Sequence, residues 1–224
     1  MKPSQIFNAF LTILVASALL VAGFWVNRWL MESRILREVI ERLSADTRIA
    51  EVLVTKSELD ETTKKIHTTI KFLEYDTHDR PLAPKYFTFE GNVIQFESLV
   101  IRFEDEFVRR GDRLRGKSIY LFMKAFVLDE KSAQVFDISS AHSIPAGYKI
   151  PGETSEFETR LWGEFWNYAL DPKTRHRAGI KNAQIEAPGS MFLPGMIYTV
   201  RIEHDGGIRI DSQPVPEILK GEKV

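Results

Sequence analysis

The chain contains no cysteine. That removes disulfides, thiolate catalysis and Cys-ligated zinc or iron–sulfur clusters from the functions open to it. It also has almost no net charge, with 30 basic residues against 31 acidic ones over 224 residues. No global field recruits a polyanion, and the pI of about 6.5 lacks the basic excess of a nucleic-acid-binding protein, so nucleic acid is not an expected partner. Histidine is scarce and scattered: His67, His78, His142, His176 and His204 form no H-x-H, H-x-x-x-H or H-E-x-x-H pair, so no metal-ligand spacing is present. Internal repeats and low-complexity segments are absent as well.

One catalytic pattern needs weighing. Residues 111–118, GDRLRGKS, satisfy G-x-x-x-x-G-K-S, the phosphate-cradling loop. That chemistry needs a buried strand entering Gly111 and a helix leaving near Lys117. Here the charged run 104–110 (EDEFVRR) precedes the glycine, and the segment after Ser118 has strand character. A charged turn leading into a core strand is the simpler reading. Gly189-Ser190 lacks the second glycine of a nucleophile elbow and lies between Pro188 and Pro194. The 31 acids include no pair that spacing singles out. No catalytic, cofactor-binding or metal-binding residues are therefore assigned, and no cofactor is called for.

What is present begins at the N-terminus. No charged residue occurs between Lys2 and Arg28, and residues 6–26 (IFNAFLTILVASALLVAGFWV) form an apolar run of the roughly 20 residues that a bilayer-crossing helix needs. Trp25 and Trp29 fall at one end, where amphipathic rings favour the interface. Ala16-Ser17-Ala18 offers a small-residue cleavage site, but the apolar run continues through Leu19, Leu20 and Val21, which favours an uncleaved signal-anchor over a signal peptide. The expected partner is thus a lipid bilayer, in a single-pass, bacterial-type inner-membrane arrangement. Orientation is a contest. Arg28, Arg34, Arg37 and Arg42 would hold the following domain in the cytoplasm on a positive-inside count. A short tail before a signal-anchor favours an extracytoplasmic domain, and that is the orientation expected here.

After the anchor, apolar residues recur at Trp29, Leu36, Val39, Ile40 and Leu43 with helical spacing. Trp29, Leu36, Leu43 and Ala50 repeat every seven residues, which permits a short coiled coil. Trp29, Leu36, Ile40 and Leu43 are the candidate self-association residues, making a homo-oligomer one expected assembly. A stalk packing on its own domain is the competing reading.

From residue 51 the period changes from 3.6 to 2. Strands are expected at residues 51–56, 64–75, 86–89, 92–103, 118–129, 133–138, 181–187, 197–204 and 208–211. The first two form a hairpin, and Asp205-Gly206-Gly207 marks another. Residues 118–129 (SIYLFMKAFVLD) are nearly continuously apolar, as a central buried strand would be. Ser155 and Glu158 form an S-x-x-E capping box opening one helix, which carries Phe157, Leu161 and Phe165 with Trp162, Trp166 and Ala169 beside them. Trp162 and Trp166 are the candidate ligand or partner surface, set against a core-facing role on an amphipathic helix. Two basic clusters, Arg109 to Lys117 and Lys173 to Lys181, suit lipid headgroups or an acidic partner, although a solvated face explains both.

The expected organisation is a short polar tail (1–5), a transmembrane anchor helix (6–27), an amphipathic stalk helix (28–50), an α+β, mainly antiparallel β domain with one or two helices (51–212), and a loose tail (213–224). This layout recurs among bacterial envelope proteins of unrelated ancestry, so it carries little functional information alone. The functional expectation is a membrane-anchored, non-enzymatic envelope protein that self-associates or positions a protein partner. The rival is a tethered enzyme or ligand-binding domain whose site is built from loops 187–195 and 145–152.

Overall fold

A computed structural model describes residues 3–42, 48–76, 78–103, 118–128, 133–150, 152, 155–171, 173, 180–186, 189–203 and 207–217. The chain divides into two units, Met1–Val39 and Ile40–Val224. The first is built on α1 (Pro3–Arg42), a single helix of 40 residues. Its one proline stands in the first turn, where a missing N–H costs nothing, and nothing interrupts it as the apolar run passes into the charged one. At 1.5 Å per residue it is about 60 Å long.

Where the helix hands over differs from the expectation. The described helix ends at Arg42 and β1 (Arg48–Leu59) begins soon after. Ala50, the fourth position of the seven-residue repeat and the last residue of the expected stalk, is a fully buried strand residue. Its alternation with Val52 and Val54, which pack in the same core, outweighs a coincidental helical spacing. Simultaneous pairing with two neighbouring strands then fixes it.

The second unit is a pair of antiparallel sheets. The remaining strands are β2 (Ile66–Glu74), β3 (Lys85–Glu90), β4 (Val93–Phe103), β5 (Ser118–Leu128), β6 (Ala133–Asp137), β7 (Ile180–Glu186), β8 (Gly189–Met191), β9 (Met196–Ile202) and β10 (Ile208–Pro214). The first sheet has the order β10-β9-β1-β2-β3. The second has β6-β5-β4-β7, with β8 continuing along β4 beyond β7. The expected 51–56/64–75 hairpin is β1–β2. Its turn is held by the Asp60 carboxylate, which accepts from the N–H groups of Thr62 at 2.8 Å and Thr63 at 3.2 Å. Those bonds lower the pKa of Asp60 below its usual range. β9 and β10 form the hairpin expected around Asp205-Gly206-Gly207, with Ile202 opposite Ile208. Because β10 runs on to Pro214, Gln213 and Pro214 belong to the sheet and not to a loose tail.

Alternate residues of both sheets face one another in one core that includes Val52, Ile70, Phe72, Phe87, Ile94, Phe96, Tyr120, Phe122, Phe192 and Val200. Phe72 of the first sheet lies 5.3 Å from Phe96 and 5.5 Å from Phe122 of the second, between ring centroids. Aromatic pairs of this kind add to the burial of apolar area that drives folding. A bulge helps keep the faces in register: the β4–β5 pairing steps from Glu97↔Lys124 to Ser98↔Phe122, leaving Met123 as the extra residue.

The second sheet is apolar on its outer face too. Leu99, Ile101, Ile119 and Leu121 point away from the inter-sheet core and are buried. Beside β7 lies α2 (Glu156–Leu170), whose Trp162, Phe165, Trp166 and Ala169 are also buried. Its N-terminus forms as expected, with Glu158 N–H donating to Ser155 Oγ at 3.0 Å. The Glu158 carboxylate accepts from Ile150 N–H at 3.2 Å, so this half of the cap ties the preceding loop to the helix. The buried face of α2 is also rotated from the expected Phe157–Leu161–Phe165 stripe, since Phe157 and Leu161 are only half-buried.

Candidate functional site

Two features are candidates for function, one in each unit. In the first, residues Phe10–Ile35 have a mean hydropathy of 2.1 over their most apolar window, and none of that window is buried. Leu20 is 76% exposed and Trp29 66%, on opposite sides of the helix. A helix apolar all round is stable either inside a large core or inside a membrane, and this one is not in a core. Its 26 residues span about 39 Å against about 30 Å of hydrocarbon. The polar residues within the run are accommodated: Ser17 Oγ donates to the Leu14 carbonyl at 2.9 Å. At the far end, the Arg28 guanidinium lies 6.0 Å from the Trp25 ring centroid and bonds Glu32 at 3.1 Å. A charged group paired beside an indole is suited to a membrane–water boundary. Among the described residues there is therefore one helix, near the N-terminus, long and apolar enough to span a membrane.

Of the candidate self-association residues, Trp29 is exposed on α1. Leu36 and Ile40 lie on the same helix, and Leu43 falls outside the described residues.

In the second unit, the outer face of the second sheet is divided. One end is the buried set beside α2. At the other end, Val93, Leu128, Val135 and Met191 are 44–66% exposed. The register brings them together: Val93 stands opposite Met191, and Val135 opposite the half-buried Phe126. Between the two ends sits the Lys124–Glu97 ion pair at 3.7 Å. β5 thus carries apolar residues on both faces because both are needed for packing at one end, while at the other the outer ones meet solvent. The sequence signal was the unbroken apolar run, which predicted burial on both sides and so missed the exposed end.

Trp162 and Trp166 sit elsewhere. Trp162 is 2% exposed and Trp166 0%. The rings pack through Phe165, at 4.9 Å from Trp162 and 5.4 Å from Trp166. Trp166 Nε1 donates to the Ser143 carbonyl at 2.5 Å, and the Tyr148 ring packs tilted against Trp162 at 5.5 Å. Burial on this scale makes them packing residues and removes their faces from any surface platform. Tyr148 has a further task. Its hydroxyl donates to the Tyr120 carbonyl and accepts from the Tyr120 N–H, both at 3.1 Å. β6 pairs with β5 only from Lys124 onward, so among the described residues this hydroxyl takes the place of a strand partner at Tyr120.

Residues 111–117 of the phosphate-loop match lie outside the described residues, but Ser118 opens β5 and not a helix, so the helix N-terminus that phosphate binding requires does not follow the lysine. Gly189-Ser190 is in β8, paired with β4. Beyond it Phe192 is buried against Phe96 and Tyr198, at 5.9 and 4.4 Å, and Leu193 N–H donates to Tyr198 Oη at 2.8 Å. Residues 189–195 thus pack into the sandwich core through Phe192, and residues 145–150 are tied to β5 through Tyr148. His78 belongs to a turn organised by Asp76, whose carboxylate accepts from the N–H of His78 at 2.8 Å and of Arg80 at 2.9 Å and pairs with the Arg80 guanidinium at 2.7 Å. Burial opposes ionisation of Asp76, but these bonds prevail and lower its pKa. Lys173 is exposed; the rest of both basic clusters lies in residues whose side chains are not described. No protein-family model, curated protein or solved structure matches the chain significantly.

Proposed function

We propose that this is a single-pass, membrane-anchored, non-enzymatic envelope protein. α1 crosses an inner membrane of bacterial type, and the sandwich domain works on its extracytoplasmic side by self-association or by positioning a protein partner. The observation that carries the reading is the helical run 10–27, which holds no charged residue and is exposed throughout. In water such a surface would carry a large hydrophobic penalty, and lipid removes it. The exposed apolar row Val93, Leu128, Val135 and Met191 supports the partner-positioning part, since clustered apolar exposure marks interaction surfaces. The seam Trp29, Leu36, Ile40 and Leu43 remains the proposed route of self-association.

The test has two arms. Full-length chain should stay in the membrane pellet after alkaline carbonate extraction, at its unprocessed mass, and a C-terminal reporter active only outside the cytoplasm should be active. Release into the supernatant, or a shortened product, refutes the anchor; an inactive reporter reverses the orientation. Cross-linking in membranes should trap dimers or larger species that are lost when Leu36, Ile40 and Leu43 are changed to Ala. A monomer before and after would remove the seam from the proposal.

A further inference from the structure

β10 is the last strand of the first sheet, and among the described residues nothing pairs with its outer side. Which of its groups face outward follows from two hydrogen bonds. Glu203 N–H donates to the Gly207 carbonyl at 2.8 Å and Val215 N–H to the Gly195 carbonyl at 2.9 Å. In an antiparallel ladder bonded pairs alternate with unbonded ones. Residues 209, 211 and 213 therefore turn their main-chain groups toward β9, and Ile210 and Ser212 turn theirs outward. Pro214, also on the outward set, has no N–H and ends the usable edge there.

The side chains along this edge are self-complementary. Ile208 and Ile210 pack against the inter-sheet core, while Arg209 and Asp211 lie on the outer face, exposed and bonded to each other at 3.0 Å. If a second β10 runs antiparallel with the two-fold axis at Ile210, the two Ile210 residues form a mutually hydrogen-bonded pair. Arg209 of each copy then stands opposite Asp211 of the other. These are unbonded positions, where side chains approach most closely. Shifting the axis to Asp211 would set two carboxylates face to face, which is unfavourable. Ser212 is the other outward-facing centre, and it would set Asp211 opposite Gln213 with no ion pair, so charge favours the Ile210 register, which is also compatible with the outward hydrogen-bonding groups.

We infer that β10 is a homotypic interface: two copies of this chain join edge to edge through β10, centred on Ile210, into one continuous ten-stranded sheet. The inference rests on the self-association reading for the identity of its partner, but uses none of the seam residues. Membrane tethering would favour it by confining both copies to a plane.

The absence of native cysteine makes the test clean. Full-length Ile210→Cys chain in membranes, mildly oxidised, should give a disulfide dimer, because paired Cα atoms about 5.5 Å apart are within disulfide reach. Gln213→Cys on the same strand should give at least tenfold less, being several residues from its symmetry mate. A non-disruptive variant supports the register. Arg209→Asp should lower the yield of amine-reactive or photochemical cross-linked dimer at least fivefold, and the double exchange Arg209→Asp with Asp211→Arg should restore it to within twofold. Equal disulfide yields at 210 and 213, no dimer at 210, or no rescue by the exchange would each overturn the proposal. The measurement is repeated with Leu36, Ile40 and Leu43 changed to Ala. Persistence of the Ile210→Cys dimer there supports an edge interface independent of the seam, whereas its loss, with no other edge-dependent dimer, refutes β10 as an interface in its own right.

Discussion

Tyr148→Phe removes one oxygen from the protein and leaves every ring contact in place. The hydroxyl it removes serves both main-chain groups of Tyr120, at 3.1 Å each, on a residue only 3% exposed. A buried donor or acceptor stripped of its partner costs about 1–3 kcal/mol, and two are affected here, so the expected loss is about 2–3 kcal/mol. For a domain of this size that corresponds to a fall in melting temperature of roughly 5–10 °C. Tyr198→Phe supplies an internal comparison. Its hydroxyl accepts a bond from Leu193 N–H at 2.8 Å, so its removal should cost about 1 kcal/mol. Thermal and denaturant unfolding of the full chain in detergent micelles measures both, and hydrogen exchange should show faster exchange at the Tyr120 amide in the Tyr148 variant. Equal losses for the two variants, or a Tyr148 loss under about 0.5 kcal/mol, would refute the idea that this hydroxyl substitutes for a strand.

Three further outcomes follow from single contacts. Ser98 is fully buried in the inter-sheet core, and among the described residues its Oγ has no partner, so Ser98→Ala should raise stability by about 1 kcal/mol in denaturant unfolding. The Tyr75 hydroxyl is held up to about 12 by burial and by its 2.8 Å bond to Glu51. Above pH 10 the unfolded chain loses this proton while the folded one keeps it, so this contribution to stability falls as pH rises from 10 to 12. Solvent screening keeps the effect below the full linkage value, and Tyr75→Phe should abolish that part of the alkaline slope in melts followed across the same window. In α1, Leu14→Arg with Ala18→Arg places two guanidinium groups mid-run at about 3 kcal/mol each. The carbonate-resistant fraction of the chain should fall sharply, whereas Leu14→Ala should leave it unchanged.

Local features of the fold were legible because they are written locally. The alternation of Ile66, Thr68, Ile70 and Phe72, the Ser155–Glu158 cap and the glycines after Asp205 each fix a conformation within a few residues. Partnership was not legible. Period 2 tells which side of a strand is buried, but not that β1 lies between β2 and β9, a neighbour from the far end of the chain. β8 was invisible because three residues carry too little alternation, and because Pro188 and Pro194 suggested a loop; pairing with the start of β4 supplies what propensity does not. Trp162 and Trp166 were ambiguous because a stripe of aromatics looks the same whether it meets a sheet or a ligand. Ala50 shows the reverse error, where seven-residue spacing persisted by chance into a strand.

The two sheets divide the work of holding and presenting. The inter-sheet core fixes Ile208 and Ile210 inward, which in turn places Arg209 and Asp211 on the outer face of an edge strand. In the second sheet, the Tyr148 hydroxyl bonds both main-chain groups of Tyr120 on β5 where β6 does not reach. One edge is therefore capped from within the chain, and another keeps its outward groups at Ile210 and Ser212. Bare edges invite association, and proteins commonly blunt them with charge or proline. On β10 the charges come as an alternating Arg–Asp pair that disfavours registers centred on Arg209 or Asp211 and matches its own two-fold copy at Ile210, and the proline stands beyond the pair and not within it. That placement limits the length of an edge contact without forbidding one, which is why the symmetric β10 contact, and not open-ended sheet growth, is the association this edge supports.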